Sequence, residues 1–438
     1  MSLRVLQQQI EAQAARIGVI GLGYVGLPVA CLFAEAGFDV TGVDLKAERV
    51  EAINAGISPI EGREPGLAEL LAAAVAVGRL QATTQYVDLC ECDVVIISVE
   101  TPVDAQHVPQ YIALRSALRD LGPVLQAGTL VIVESTIAPG TMARLVKPLL
   151  EEASGKRANV DFYLGHCPER VMPGKLLANL RGVSRVCGGE SPETAQTMMA
   201  LYRHVVQADL DPADCVTAEL VKTAENAYRD VNIAFANEVA LICEAVGGDV
   251  WKVRELVNKS PGRTMLLPGA GVGGHCIPKD PWLLAYQAQM QGAAIRLIPA
   301  ARAVNEGMPL HIIALLEDAL REAGRSLVGA RVLVLGYAYL EDSDDTRNSP
   351  SEALVAALRA RGAEVVIHDP YVPGYQGDVY AMAEGCDAVV VMVKHSEYRT
   401  LNLEVLKTAL RVPLLVDGRR VFARPTGWIH RGVGEDMQ

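Results

Sequence analysis

The stretch RIGVIGLGYVGLPVACLFAEAGFDVTGVDL, residues 16–45, decides the fold. Its apolar start predicts a β-strand that runs into a turn containing Gly21, Gly23 and Gly26, and PVACLFAEAG predicts a helix after that turn. DVTGVDL then predicts a second strand with Asp44 near its end. A strand, a glycine turn, a helix and a second strand in this order are typical of a dinucleotide-binding βαβ unit.

Each glycine of the turn has a separate physical role in this interpretation. Gly21 permits the tight turn, Gly23 lets the backbone approach a diphosphate, and Gly26 allows the helix to pack closely on the strand. Tyr24 and Val25 complete the turn and belong to the expected cofactor site. The diphosphate would lie at the N-terminus of the helix, where free N–H groups and the helix dipole favour an anion.

Asp44 bears on the identity of the cofactor. A carboxylate at this strand end accepts hydrogen bonds from the ribose hydroxyls of NAD⁺ and repels the 2′-phosphate of NADP⁺, so we expect NAD⁺. The alternative is that the glycines merely punctuate a turn without a ligand and that Asp44 is a solvated residue. The complete order of strand, turn, helix, strand and acid favours the cofactor site.

Strands and helices continue to alternate after this unit. DVVIISV, LVIVES and DFYLGHCP predict further strands of a parallel sheet, whereas residues 191–245 are predicted to be wholly helical, with one long helix from Thr217. A second α/β pattern starts at RVLVLGYAY and runs through AEVVIHDPYV, DAVVVMVKH and PLLVDGRR. The sequence predicts an α/β protein with two Rossmann-like, doubly wound domains, 1–190 and 326–438, joined by a central helical region, 191–325.

Composition and charge limit the classes of protein to consider. The 438 residues are 50% hydrophobic and 21% charged, as in a well-buried globular enzyme of two or three domains. The net charge of −12 argues against a nucleic-acid partner. We expect neither a membrane span nor a signal peptide, because long apolar runs are missing. The nine cysteines are scattered without a metal-ligand spacing, so we expect a reducing cytoplasm and no bound metal.

The stretch LPGAGVGGHCIPKDP, residues 267–281, carries the reactive chemistry. Four glycines in six residues leave little regular structure, so the loop takes its shape from what it binds. It presents Cys276, followed three and four residues later by Lys279 and Asp280. A cationic amine beside a thiol favours the nucleophilic thiolate, and a nearby carboxylate can orient water. The alternative is a buried, inert thiol, but the glycine-rich, charged surroundings favour a catalytic cysteine.

Further candidate residues lie in two loops and on the long helix. SVETP, with Thr101 and Pro102, and ESTIAPGT, with Thr136, follow strands at the sheet edge where parallel sheets bind ligands, although ordinary loop chemistry explains each equally well. Lys222 lies in an apolar part of the helix, with Asn226 one turn later. Such a pair is usually solvated, but an inward lysine in so apolar a helix needs an anionic partner.

Together these motifs resemble those of UDP-glucose/GDP-mannose dehydrogenases. GLGYVGLP, VDL, TPVD, ESTIAPGT, CPERVMPGK, ELVKTAENAYRDVNIAFANE, GAGVGGHCIPKDPW and DDTRNSP occur in the family's order, from about Ile17 to beyond Asp417. The resemblance implies NAD-dependent, four-electron oxidation of the C6 hydroxyl of a nucleotide sugar to a carboxylate through a cysteine thioester. The branch that acts on UDP-N-acetylhexosamines is the most similar, which favours UDP-N-acetylmannosamine as substrate and makes residues 326–438 the UDP-sugar-binding domain.

The resemblance also implies roles for individual residues. Cys276 matches the family's nucleophile, Asp280 the aspartate that acts with water, and Thr136 the threonine that holds this water. Lys222 and Asn226 match the pair that steadies negative charge during the reaction. Glu169 matches the glutamate of the family's third signature and completes the implied catalytic set.

Substrate binding is implied for a partly overlapping set. Its members are Glu169, Arg170, Lys222, Asn226, Arg263, Gly273, Lys279 and Arg347. Within this set, Arg347 matches the nucleotide-binding arginine of the C-terminal domain. Arg263 matches an arginine that reaches the sugar from the partner subunit of a homodimer.

Two departures from the family's patterns bear on the substrate. UDP-glucose dehydrogenases carry a second glutamate four residues after the first, where this chain has Pro173, and this weakens glucose as the substrate sugar. Lys279, by contrast, is missing from many acetamido-sugar enzymes. UDP-glucose and UDP-N-acetylglucosamine therefore stay alternatives. Outside this class, the alternatives are a nucleotide-sugar-binding regulator without turnover and a two-electron alcohol dehydrogenase, in which Cys276 would have no role.

Overall fold

The structure, a computed structural model, describes residues 2–60, 62 and 64–435. The chain divides into two compact units. The first contains Met1–Glu225 and Trp282–Ala293, and the second contains Asn226–Pro281 and Ala294–Gln438. Each unit has its own β-sheet, and the predicted α/β class with two Rossmann-like domains and a long central helix is confirmed.

The first unit is built on a sheet of eight strands. They are β1 (Arg16–Ile20), β2 (Asp39–Val43), β3 (Leu80–Thr83), β4 (Val94–Ile97), β5 (Leu130–Val133), β6 (Tyr163–His166), β7 (Arg185–Gly189) and β8 (Leu210–Asp214). Helix α1 (Leu3–Glu11) precedes the first strand, and the helices between the strands are α2 (Gly26–Glu35), α3 (Ala47–Asn54), α4 (Leu67–Ala76), α5 (Ile112–Leu121), α6 (Lys147–Ser154), α7 (Leu176–Gly182) and α8 (Pro192–Tyr202). A short π-helical segment, Met142–Val146, leads into α6.

The strand order of this sheet is β3-β2-β1-β4-β5-β6-β7-β8. Neighbouring strands from β3 to β6 are parallel, as predicted. The central strands β4 and β5 are buried at every position, which explains their continuous apolar sequences. Strand β7 then runs antiparallel to β6, and β8 runs parallel to β7. The strands predicted for this sheet are therefore parallel, and the antiparallel β6–β7 pair involves a strand that was not predicted.

Strand β8 corrects a prediction. Residues 191–245 are not wholly helical, because β8 lies between two helices, and the domain boundary expected at residue 190 falls inside the eight-stranded sheet. The reason is the strand's sequence, LDPAD, in which only Leu210 is buried. A short, polar edge strand that contains proline carries no apolar periodicity by which it could be predicted.

The second unit contains a smaller sheet that is parallel throughout. Its strands are β9 (Arg331–Leu335), β10 (Glu364–His368), β11 (Ala388–Val391), β12 (Leu414–Asp417) and β13 (Ile429–Gly432), in the order β10-β9-β11-β12-β13. Helices α10 (Val250–Val257), α12 (Leu297–Glu322), α13 (Pro350–Ala360), α14 (Val379–Ala383) and α15 (Leu403–Ala409) belong to the same unit. The first four strands match the predicted second α/β pattern, and β13 is an addition.

Two helices contribute residues to both units. They are α9 (Cys215–Val246) and α11 (Asp280–Met290). The long helix predicted from Thr217 is confirmed as α9, and Gly247, with a φ of +75°, follows its end. None of the helices within the described residues is both long enough and apolar enough to cross a lipid bilayer.

Candidate active site

The three glycines of the β1–α2 turn occupy three different environments. Gly21 has a φ of +89°, and a Cβ atom there would lie 2.4 Å from the carbonyl oxygen of Ser98. A Cβ atom at Gly26 would lie 1.8 Å from the carbonyl oxygen of Gly21, so the helix could not approach the turn with any larger residue. At Gly23, by contrast, a Cβ atom would meet no heavy atom within 4 Å. The first and third glycines are required by the chain itself, and the second leaves open space in which a diphosphate fits.

Asp44 links this turn to the end of β2. Its Oδ2 atom accepts hydrogen bonds from the backbone N–H of Leu22 and from Nη1 of Arg49, each at 3.0 Å. Its Oδ1 atom accepts one from the backbone N–H of Lys46, also at 3.0 Å. The carboxylate is thus held beside the glycine turn, and its hydrogen bonding to the ribose of a dinucleotide stays a prediction. Arg49 was not among the predicted residues. A basic residue in the first turns of the helix after Asp44 could have indicated a partner for this carboxylate.

The two predicted loops at strand ends lie side by side. Thr101 follows β4, Thr136 follows β5, and the Thr101 hydroxyl donates a hydrogen bond of 2.6 Å to the Thr136 carbonyl oxygen. Ser135 adds a second link, because its hydroxyl accepts from the Val99 N–H at 2.9 Å and donates to the Val99 carbonyl oxygen at 2.6 Å. Both threonines are buried, whereas Pro102 is exposed. The structure therefore brings Thr101 and Thr136 together at the edge of the sheet where parallel sheets bind ligands.

Lys222 has the anionic partner that its apolar helix predicted. The Lys222 Nζ atom lies 4.0 Å from Oε1 of Glu169, and both side chains are buried. The other oxygen of Glu169 accepts a hydrogen bond of 2.8 Å from the backbone N–H of Val171. Burial lowers the pKa of the neighbouring His166 to about 4, with a further contribution from the Lys222 charge. The His166 imidazole in this cluster is therefore uncharged at neutral pH.

Arg170, next to Glu169, lies at the border of the same cluster. Its Nε atom donates to Oε2 of Glu225 at 2.8 Å, and its Nη1 atom donates to the hydroxyl of Ser184 at 3.1 Å. These contacts hold the guanidinium beside helix α9. A role for Arg170 in substrate binding stays a prediction.

The loop that carries Cys276 is irregular, as its glycines predicted. Residues 258–279, all of them described, contain no helix or strand. A Cβ atom at Gly273 would lie 2.7 Å from both the Cβ of Tyr339 and the carbonyl oxygen of Asn348. The Gly274 N–H donates to the Arg347 carbonyl oxygen at 2.9 Å. The loop thus packs directly against the segment that follows β9, and glycine is required for this close approach.

Cys276 begins a turn that leads into α11. Its carbonyl oxygen accepts hydrogen bonds from the backbone N–H groups of Lys279, at 3.0 Å, and Asp280, at 2.9 Å. The Cys276 side chain is half-buried. All nine cysteines lie within the described residues, and none of them forms a disulfide. Burial lowers the pKa of the preceding His275 to about 4, so its ring is neutral at physiological pH.

Asp280 brings the other predicted residues of this unit together. Its side chain is fully buried, and its Oδ2 atom accepts a hydrogen bond of 2.5 Å from Nδ2 of Asn226. Its Oδ1 atom lies 2.8 Å from Nζ of Lys279. The lysine charge is therefore compensated within the loop by the carboxylate, while the sequence alone had paired this charge with the thiol of Cys276. A buried carboxylate with two such partners is well placed to orient a water molecule.

Three arginines of the second unit differ in their surroundings. Arg347 forms a paired contact with Asp345, which raises its pKa, and remains partly exposed. Arg263 is exposed, and its guanidinium donates to the Pro261 carbonyl oxygen at 3.2 Å. Arg419, which was not predicted, donates to the Gly271 carbonyl oxygen at 3.0 Å and so braces the cysteine loop. The basic DGRR sequence at the end of β12 could have indicated a functional arginine here.

Three family profiles match consecutive parts of the chain. The NAD binding domain of the UDP-glucose/GDP-mannose dehydrogenase family matches residues 15–206. The central domain of this family matches residues 216–307, and its UDP binding domain matches residues 333–424. The glycine turn and Asp44 lie in the first match, and Cys276 lies in the second.

Relatives of known structure match the chain over nearly its full length. The UDP-N-acetyl-D-mannosamine dehydrogenase of Pyrococcus horikoshii is 41% identical over 420 residues, or 96% of this chain and 99% of that protein. The structure of that organism's UDP-D-ManNAc dehydrogenase has a TM-score of 0.92, with 97% and 100% of the two chains covered. An NDP-N-acetyl-D-galactosaminuronic acid dehydrogenase from Methanosarcina mazei has a TM-score of 0.88 at 37% identity, with 100% and 98% covered. A UDP-glucose dehydrogenase from Pyrobaculum islandicum has a TM-score of 0.86 at 30% identity, with 96% and 98% covered.

Proposed function

Because the chain belongs to the UDP-glucose/GDP-mannose dehydrogenase family and is an NAD-dependent nucleotide-sugar dehydrogenase, we propose that it oxidises UDP-N-acetylmannosamine at C6 to the uronate. The observation that carries the proposal is the loop in which Cys276 is followed by the buried Lys279 and Asp280, with Asp280 accepting a hydrogen bond from Asn226 of α9. This loop combines a nucleophile with a carboxylate that can direct water, which an oxidation through a thioester needs. Pro173 and the name of the Pyrococcus relative support the acetamido sugar.

The proposed reaction uses residues of this chain for covalent chemistry and for charge stabilisation. NAD⁺ supplies the hydride acceptor for both oxidations, so each sugar consumes two NAD⁺ and one water. The sulfur of Cys276 attacks the C6 carbon of the aldehyde and forms a thiohemiacetal, whose oxidation leaves a thioester. Asp280 and Thr136 direct the water that displaces the sulfur and releases the carboxylate. Lys222 and Asn226, one turn apart on α9, steady the negative oxygen.

The test of this function is a comparison of four substrates. Purified protein is supplied with NAD⁺ and with UDP-N-acetylmannosamine, UDP-N-acetylglucosamine, UDP-N-acetylgalactosamine or UDP-glucose, and NADH is followed at 340 nm. We expect two NADH per sugar and a kcat/KM for UDP-N-acetylmannosamine roughly tenfold or more above the others. A higher value for UDP-glucose would favour the second candidate, which Lys279 supports. One NADH per sugar would indicate a two-electron alcohol dehydrogenase, and binding without NADH would indicate a regulator.

We expect Asp44→Ala to relax the preference for NAD⁺ over NADP⁺. The substitution removes the acceptor for the ribose hydroxyls and leaves the Arg49 cation, formerly 3.0 Å from this carboxylate, available to a 2′-phosphate. The KM for NAD⁺ should rise roughly tenfold, while the kcat/KM for NADP⁺ increases. Asp39→Ala, which removes an exposed carboxylate from the same strand, is the control. Unchanged discrimination would place the cofactor selectivity at another residue.

A homodimer is part of the proposal. Tyr228, Phe235 and Ile242 recur every seven residues along α9 and are 70%, 56% and 53% exposed in the single chain. Seven-residue spacing places apolar side chains on one face of a helix, and so large an exposed apolar face calls for a second copy. Arg263, also exposed, would reach the partner's sugar in this assembly. Nine cysteines without a disulfide, all in the described part of the chain, support a reducing, cytoplasmic location.

A further inference from the structure

Glu219 is a buried carboxylate of the first unit. It lies on α9, and its side chain is only 1% exposed. One carboxylate oxygen accepts a hydrogen bond of 2.6 Å from the backbone N–H of Gly140, and the other accepts one of 2.7 Å from the backbone N–H of Met142. These two residues bracket the start of the helical segment that continues into α6. The carboxylate thus neutralises the positive end of this segment and fixes it to α9.

The segment that Glu219 holds also carries Thr136. Toward the strand, the Thr136 carbonyl oxygen accepts from the Thr101 hydroxyl. In the middle of the segment, the Tyr111 hydroxyl accepts from the Ala138 N–H at 2.9 Å. Glu219 provides the anchor at the far end, so that the segment from residue 136 to residue 142 is held at three places.

We propose that Glu219 is a positioning residue, which sets the loop carrying Thr136 against the turn of α9 that carries Lys222. Glu219 and Lys222 are three residues apart, which places them on neighbouring positions of the same helix face. Any loosening of the two hydrogen bonds to the loop would therefore displace Thr136 relative to Lys222. The inference rests on the proposed function, in which Thr136 directs the hydrolytic water and Lys222 steadies the oxyanion.

Titration of Glu219 adds a pH dependence to this role. Burial raises its pKa to about 7, although the backbone N–H groups oppose the shift, and the Asp214 charge adds to it. Of the other groups facing it, burial raises the pKa of Tyr111 and raises the pKa of Cys215 to about 12, so both stay protonated at neutral pH. Hydrogen bonds from Thr217 lower the pKa of Asp214, which stays charged. As the pH falls through 7, Glu219 becomes protonated, and one of its two accepting oxygens becomes a hydroxyl. The hydrogen bonds from the backbone N–H groups of the loop therefore weaken below about pH 7.

The experiment measures kcat and KM of Glu219→Gln between pH 6 and pH 9. The amide keeps the size of the side chain but turns an N–H donor toward a backbone N–H, so one of the two hydrogen bonds is lost. We expect kcat to fall roughly tenfold to a hundredfold, because small displacements of a catalytic group have effects of this size, while the KM for the sugar changes less than threefold. The wild-type kcat should decline below about pH 7, and the variant should lack this decline.

Two further variants separate positioning from folding. Glu219→Asp keeps the charge and should retain an intermediate kcat with an acid-side decline, whereas Glu152→Gln, at an exposed position of α6, should match the wild type. Thermal unfolding shows whether Glu219→Gln is folded. If it is not, the kcat of Glu219→Asp and the pH profile of the wild type test the inference instead. A wild-type kcat that is flat between pH 6 and pH 8, or a folded Glu219→Gln with wild-type kcat, would overturn the inference. Absence of NADH with every sugar in the wild type would instead refute the proposed function.

Discussion

Cys276→Ser is expected to abolish formation of the uronate. In the proposed mechanism the sulfur holds the aldehyde as a thiohemiacetal between the two oxidations, and a serine hydroxyl is a far weaker nucleophile at neutral pH. We expect the rate of uronate formation to fall at least roughly a thousandfold, which corresponds to about 4 kcal/mol of lost transition-state stabilisation. Steady-state NADH production, together with mass spectrometry of the product, measures this loss.

The control for this experiment is another half-buried cysteine. Cys90→Ser replaces a thiol of similar exposure in the first unit and should keep wild-type activity. A Cys276→Ser protein that retains most of its uronate production would contradict the thioester mechanism. The same result with one NADH per sugar would indicate simple alcohol oxidation.

Lys222→Met is expected to lower kcat/KM for the nucleotide sugar roughly a hundredfold to a thousandfold. Removal of one group that stabilises an oxyanion commonly has an effect of this size in a water-excluded site. The substitution keeps the apolar stem but removes the cation that lies 4.0 Å from Glu169. The buried carboxylate is then left without its partner, so the free energy of unfolding should also fall, by about 3 kcal/mol.

A double variant distinguishes the catalytic loss from the loss of stability. Lys222→Met combined with Glu169→Gln no longer contains an uncompensated buried charge, so its melting temperature should recover while its kcat/KM stays low. Lys252→Met, which removes an exposed lysine from α10, serves as the control for the charge change. Recovery of turnover in the double variant would show that the lysine acts through folding alone.

The parts of the fold that could be predicted are those in which a residue's role depends on its neighbours in sequence. The turn between β1 and α2 is an example, because Gly26 must be small on account of Gly21, only five residues away. The apolar strands and the long α9 are also local patterns, and the need of Lys222 for an anion followed from the helix around it.

The features that escaped prediction depend on contacts distant in sequence or on weak patterns. Strands β8 and β13 are short and carry polar residues, so no alternation distinguishes them from loops. In the sequence, Glu219 is not distinguishable from the other polar residues of a helix. Its hydrogen bond from the N–H of Gly140 depends on the fold, because the two residues are distant in sequence. The partners of Asp280 likewise combine a neighbour in the loop, Lys279, with the more distant Asn226.

The reversed direction of β7 has a consequence for the segment that contains Glu169. Since β6 and β7 run in opposite directions, residues 167–184 connect the end of β6 to the start of β7 at the same end of the strands. The connection therefore needs no crossover to the opposite end of the strands. This connection, with Glu169, Arg170 and Pro173, is also fixed to the nucleotide-binding half of the sheet, because Arg181 of α7 forms an ion pair with Glu35 of α2. A change in the length of this connection is therefore expected to disturb Leu176, Leu177 and Leu180, which pack in the same hydrophobic core as α2.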